Sequence, residues 1–218
     1  MKNWYQLTES ETLDKLGVTS EGLSSQQADS LLEKHGKNVL EESKKKSVFQ
    51  VFLSQFADLM VIILIIAAIV SMFSGSVEST IVIFAVITLN AILGTVQHVK
   101  AEKSLESLKS LSSPSAKVIR DGRKIEIDSE NIVPGDIVVL EAGDLVVADG
   151  RIINNYSLQV NESSLTGEST NIDKSVETIE KEVPLADRTD MVFSGSLVTY
   201  GRAIVVVTET GMNTEIGK

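Results

Sequence analysis

Two apolar runs stand close together near the middle of the chain and restrict its fold more than any other feature. Leu59 to Phe73 is almost wholly apolar, Thr80 to Val96 is a second such run, and only Ser74 to Ser79 separates them. Helices packed in a globular core seldom read apolar all round for this long. So short a link, small or polar apart from Val77, makes the two runs a helical hairpin. The first run is short for a hydrocarbon core about 30 Å thick, which needs about 20 residues, so each span is expected to recruit its neighbours. We place the spans at 58–74 and 80–98. Lys44, Lys45 and Lys46 precede the pair, Lys100, Lys103 and Lys109 follow it, and the link carries only Glu78. Lysine excess marks the cytoplasmic side, so both ends of the chain are expected there.

The flanks extend this plan. Phe49, Phe52, Leu53 and Phe56 recur at helical spacing behind the lysines, which suits an amphipathic approach helix over 44–57 at the bilayer surface. Thr88 and Asn90, inside the second span, are expected to hydrogen-bond a neighbouring helix. Beyond Gln97 the helix is expected to continue as a stalk over 99–112, with Ala101, Leu105, Leu108 and Leu111 on one face and Glu102, Lys103 and Glu106 on the others, until Pro114 stops it. Residues 1–43 read as short helices: Thr8 and Ser24 or Ser25 offer caps, and Gly17 and Gly36 offer stops.

The remainder, 113–218, is β-rich. Lys117–Arg120 and Lys124–Ile127 face each other across Asp121-Gly122, a hairpin signal. Ile137–Leu140, Leu145–Val147, Ile152-Ile153, Leu158–Val160, Met191–Phe193 and Ala203–Val207 add short strands, while Ile172–Val183 reads as an acidic surface loop. Many short strands with Gly-Asp turns suggest a distorted barrel or jelly roll. The whole is therefore expected to be a mixed α and β membrane protein that needs detergent or lipid. Cleavage after the stalk is expected to release a soluble β domain.

Charge and cysteine usage exclude several functions. Thirty acids against 20 bases give a net charge of −10, with no basic face to neutralise nucleic-acid phosphates. Cysteine is absent, so there is no disulfide framework, no thiol nucleophile and no Cys-bound metal. A long polar stretch precedes the first apolar run, against a cleavable signal.

Chemistry concentrates at Val160-Asn161-Glu162-Ser163-Ser164-Leu165-Thr166-Gly167-Glu168-Ser169. Leu158 and Val160 alternate with Gln159 and Asn161 as in a strand, and Thr166-Gly167 then turns the chain. The turn presents Glu168 between the hydroxyls of Thr166 and Ser169. An exposed carboxylate is ionised at neutral pH, so it orients a water and accepts its proton once an electrophile is brought to it. Glu162, on the strand side, is expected to count for much less.

The surrounding motifs resemble those of the P-type ion-pumping ATPases, whose actuator domain carries a Thr-Gly-Glu-Ser loop. Further matches are Val133-Pro134-Gly135-Asp136-Ile137-Val138, Gly143-Asp144 with Ala148-Asp149, and Val192-Phe193-Ser194-Gly195-Ser196. Gly22-Leu23-Ser24, Ala28, Gly36 and Asn38 look like the N-terminal module of cation pumps. Calcium pumps are suggested by Asn90-Ala91-Ile92 with Gln97, by Ala101-Glu102 and by Thr214-Glu215-Ile216-Gly217-Lys218. The lack of cysteine weighs against heavy-metal pumps.

The resemblance implies an actuator whose Glu168 positions and deprotonates the water that hydrolyses an aspartyl phosphate held on another domain. Thr166, Gly167 and Ser169 shape that loop. It also implies an acidic site near the ion route, where Asp58 stands and Ala57 replaces a second acid. ATP and Mg2+ are expected for the complete pump and not on this chain. Its partners are the lipid bilayer, the phosphorylation and nucleotide-binding domains, later membrane helices and the transported cation, with the plasma membrane as location. Asp14-Lys15-Leu16-Gly17 and Asp173-Lys174-Ser175 imitate the family's phosphorylation motif and are rejected as phosphoacceptors, so the chain alone is expected to be inactive. The alternative reading is a non-enzymatic, membrane-anchored β-domain binding module.

Overall fold

The computed structural model describes residues 3–41, 46–111, 114–167 and 169–218, with the backbone alone over 106–111. Lys44 and Lys45, the side chains of Glu106, Leu108, Lys109 and Leu111, and Glu168 thus lie outside the described residues. The chain forms two compact units, Met1–Glu41 with Ser113–Lys218, and Glu42–Ser112.

The first unit begins with a 3-10 turn, Trp4–Gln6, then helices α1 (Glu9–Leu16) and α2 (Ser25–His35). Both helices start with the same reciprocal cap. The Thr8 and Ser24 hydroxyls accept the amides of Glu11 and Gln27, whose side chains return to the backbone N–H of the capping residue. Gly17, in the left-handed region, ends α1 as its sequence position implies. Between the helices, Leu23 bridges to Arg120 of the sheet. Gly22 makes this approach possible: with φ +83°, a Cβ there would stand 1.8 Å from the Ile119 carbonyl oxygen.

The sheet has seven strands: β1 (Ser115–Arg120), β2 (Arg123–Asp128), β3 (Ile137–Glu141), β4 (Asp149–Asn161), β5 (Asn171–Asp173), β6 (Met191–Val192) and β7 (Leu197–Glu209). Its order is β2-β1-β3-β7-β4-β5, with β6 on β4, and every pair is antiparallel. Asp121 and Gly122 both take positive φ, as a two-residue turn between twisted strands requires. Ile152-Ile153 and Leu158–Val160 are not separate strands but parts of the long β4, which keeps pairing with β7 through register shifts between Ile152 and Asn154 and between Tyr156 and Gln159. The shifts let the turn-like Asn154–Ser157 stay within a strand. Leu145–Val147 makes only an isolated bridge, Leu145 to Leu197.

Alternation along the strands builds two apolar layers. Val138, Leu140, Ile152, Val160, Val205 and Val207 pack in one, with Val118 and Leu158. Ile137, Ile153 and Val206 point the other way and meet Val18, Leu23 and Ala28 of the N-terminal helices. A third cluster joins Tyr5, Met191 and Phe193, with Trp4, Leu165, Ile179, Val183 and Leu185 around it. This corrects the reading of 172–183 as a surface loop. Asn171–Asp173 is a strand, Lys174 is buried, and Val176, Ile179 and Val183 turn inward to the clusters.

In the second unit, α3 (Val48–Gln55) is capped by Ser47, and α4 (Leu59–Phe73) by Asp58, whose carboxylate accepts the Met60 N–H at 2.9 Å. α3 and α4 meet at a 62° bend. After Ser74-Gly75-Ser76, α5 runs unbroken from Val77 to Leu111, about 50 Å at 1.5 Å per residue. Small side chains carry the buried contacts, Ala68, Ala91 and Thr95 with Val51 and Ile87, while Phe73 is 89% exposed and most large apolar residues of α4 and α5 are exposed too. Thr88 donates to Phe84 O of its own helix, and Asn90 is exposed, so the expected bond to a neighbouring helix is replaced at Thr88 by one within α5. Among the described residues, one helix is long and apolar enough to cross a membrane (Val77–Leu105), or two if the bent α3–α4 pair counts as one span.

Candidate active-site loop

Strands β4 and β5 pair through Gln159–Asp173, Val160–Ile172 and Asn161–Asn171, and the Thr-Gly-Glu-Ser motif lies in the connection between them. The connection is more than a turn. Ser163–Thr166 form a single helical turn, α6, ended by Gly167 at φ +77°. The Glu162 carbonyl oxygen starts that turn, accepting the N–H groups of Leu165 and Thr166 at 2.9 Å each and the Thr166 hydroxyl at 3.1 Å. Gly167 N–H donates to Ser163 O at 3.0 Å. Glu168 follows directly, outside the described residues.

Asn161 ties both ends of the connection. Its Oδ1 accepts the Ser163 N–H at 3.1 Å, and its Nδ2 donates to Ser169 O at 3.1 Å. Leu165 packs against the Tyr5–Met191–Phe193 cluster, and Ser164 Oγ donates to Gly195 O at 3.0 Å. The structure therefore brings Thr166, Gly167 and Ser169 to one anchored loop, while Asp58 belongs to the other unit as a helix cap.

Beneath the loop lie charges that the sequence reading missed. Glu162 is fully buried and pairs with the equally buried Lys174 ammonium, which stands 5.6 Å from the centre of the Phe193 ring. Burial pushes the Glu162 carboxyl up and the Lys174 ammonium down, and each partner pulls the other back. Arg151 and Asp190, both buried, pair nearby at 3.1 Å, and Asp190 also acts electrostatically on Lys174. The one available signal was phase: Glu162 continues the inward positions of Leu158 and Val160.

The other motifs fasten the same unit. Arg120 grips buried Asp136 with two bonds, Nε to Oδ1 at 2.8 Å and Nη2 to Oδ2 at 2.7 Å, and Asp136 Oδ2 accepts the Val133 N–H. Such a bidentate fork fixes direction as well as distance. Asp149 accepts the Ser194 N–H on Oδ1 at 2.8 Å and the Glu215 N–H on Oδ2 at 2.7 Å, uniting three stretches of chain. Burial pushes its carboxyl up to about 6 against the downward pull of those two amides.

With this geometry in place, comparison with known proteins gives the class. The P-type ATPase actuator domain family matches residues 110–218, and the cation transporter/ATPase N-terminus family matches residues 4–71. The chain belongs to the P-type ATPases, as the N-terminal and actuator parts of such an enzyme. It is 48% identical over 98% of its length to a calcium-transporting ATPase of Listeria monocytogenes and 45% identical over 98% to one of Lactococcus lactis. It is 40% identical over 93% to a cation-transporting ATPase of Synechocystis. The chain covers 24% of the first two relatives and 22% of the third, so it spans about a quarter of their length.

Proposed function

We propose that this chain is the actuator and first membrane hairpin of a pump that couples ATP hydrolysis to cation transport, with calcium as the leading candidate ion. The observation that carries the reading is the anchored β4–β5 connection. It holds Thr166, Gly167 and Ser169 around the position of Glu168, on a loop pinned by Asn161, Leu165 and Ser164. A loop with this support presents a carboxylate to an electrophile carried by another domain without losing its own shape. The relatives' names supply the ion.

In this reading water attacks the phosphorus of an aspartyl phosphate and the bond from phosphorus to the aspartate oxygen breaks. The water's proton passes to the Glu168 carboxylate. Thr166, Gly167 and Ser169 shape the loop and exclude bulk water. ATP is the substrate of the complete pump and Mg2+ its expected cofactor. Among the described residues no three His, Asp or Glu are grouped to hold a metal ion, and no residue here is assigned to it.

The helical hairpin is read as two spans of a bilayer, the plasma membrane, with both termini cytoplasmic. Small residues at the helix contacts and large apolar residues facing outward suit packing in lipid. Asp58, whose cap bond uses Oδ1, stays a candidate at the ion entry route.

The test is Glu168→Gln in the complete pump, which keeps size and removes basicity. A positioned general base contributes about 10²- to 10⁴-fold to the step it serves. Phosphoenzyme formed from ATP is expected to accumulate, and its decay after an ATP chase to slow by that range. Decay at the wild-type rate would make Glu168 a surface acid.

A further inference from the structure

We propose that the buried Glu162–Lys174 pair is a positioning device for the Glu168 loop, acting on dephosphorylation and not on phosphorylation. The proposal rests on the reading of that loop given above. Glu162 stands where β4 ends and Lys174 where β5 has just ended, so the pair joins the two sides of the connection from below. Lys174 N–H donates to Leu158 O at 2.9 Å, which places its backbone lower on the hairpin than Glu162. Its long side chain then reaches the Glu162 carboxylate without either side chain meeting solvent.

Stability alone is a poor reason for such a pair. Removing two charges from water costs more than their attraction commonly returns, and apolar residues of similar volume often serve as well or better. The cluster is also extended, because Asp190 faces Lys174 and is itself held by Arg151. What the pair adds to the other anchors of the connection is a hold on one backbone group. The Glu162 carbonyl receives three donors from Leu165 and Thr166, and the helical turn it starts ends at Gly167, next to Glu168. Locking the Glu162 side chain locks that carbonyl and therefore the origin of the catalytic loop. Glu162 and Lys174 touch no reacting atom in this account. They act through the main chain that presents Glu168. A displacement of about 1 Å at a reacting group is enough to cost about 10²-fold in rate.

The experiment compares four forms of the complete pump: wild type, Glu162→Gln with Lys174→Met, Glu168→Gln, and all three changes together. The paired change keeps volume and strands no buried charge. Rates of phosphoenzyme formation from ATP and of decay after a chase are measured for each. The paired variant is expected to form phosphoenzyme at the wild-type rate and to lose it about 10- to 100-fold more slowly. It is expected to add no further slowing in the Glu168→Gln background, because residues that act as one unit are not additive. Wild-type decay overturns the proposal. So does equal slowing of formation and decay, the mark of a merely structural role, and so does full additivity with Glu168→Gln. Should the paired variant not accumulate in membranes, Glu162→Gln with Lys174→Gln, which also strands no buried charge, is judged by the same measurements. Wild-type decay of Glu168→Gln by itself would instead remove the reading of the loop, whatever the pair does.

Discussion

Asp149 ties two other stretches of chain to its own through one carboxylate, and its burial makes the first unit sensitive to acid in an unusual direction. Its carboxyl is raised from 3.8 to about 6, as is that of Asp190. Between those values the folded chain holds protons that the unfolded chain has released. Their contribution to stability is therefore complete below about pH 3.8 and is lost as pH rises through about 6. Glu162 is shifted in the same direction, whereas Asp121 and Glu141, held low by Ser25 and by Lys117, lose their contribution only below the ordinary carboxylate range. Urea midpoints of the chain in detergent, measured at pH 7.5, 6.5 and 5.5, are expected to rise on acidification. Asp149→Asn should weaken that slope, and an unchanged slope would count against the burial argument. Residues of this kind are hard to read from sequence. Thr166, Gly167 and Glu168 announce themselves because their motif is short and contiguous. Asp149 stood in a matched motif with no visible role, and nothing in the spacing of Glu162 and Lys174 says that they meet.

Between elements, two glycines make opposite demands although each lacks room for a side chain. At Gly22 the obstacle is the Ile119 carbonyl, at a backbone angle that L side chains rarely adopt. At Gly94 of α5 it is the end of the Gln55 side chain, 2.4 Å from an added Cβ, and that end can swing away. Gly22→Ala is therefore expected to lower stability by at least about 1–2 kcal/mol, the left-handed penalty alone, and to loosen the N-terminal helices from β1. Gly94→Ala should stay within about 1 kcal/mol. Thermal unfolding of both variants in one detergent decides the contrast, and equal losses would contradict it. Helix starts and stops were legible at Thr8, Ser24, Gly17 and Gly36 because capping is local chemistry, and so was the β1–β2 turn. The length of β4 was not. Its register shifts are fixed by β7, far away in sequence, and Asn154–Ser157 looks like a turn until that partner is known.

For the molecule as a whole, the first unit is assembled from both sides of the helical hairpin. Trp4 Nε1 donates to Glu209 Oε1 at 2.9 Å, and Asn38 donates to Ser129 O and Val147 O and accepts the Gly211 N–H. These ties revise the expectation that one cut after the stalk frees the β domain. With protease sites placed in 42–45 and 112–113, a single cut is expected to leave the β strands bound to the remaining chain. Both cuts together should release the N-terminal helices and the strands as one non-covalent particle, soluble without detergent. Size-exclusion chromatography checks this. Free β strands after the second-site cut alone would refute it.

That split has a consequence for the order in which the protein is made. The helices α1 and α2 leave the ribosome long before β3 and β7, the strands that cover Val18, Leu23 and Ala28. At about 5–20 residues per second, the wait lasts roughly 10 to 35 s. Throughout it the first helices carry an uncovered apolar side while the hairpin emerges behind them. Burial of that side is completed only when the last long strand arrives.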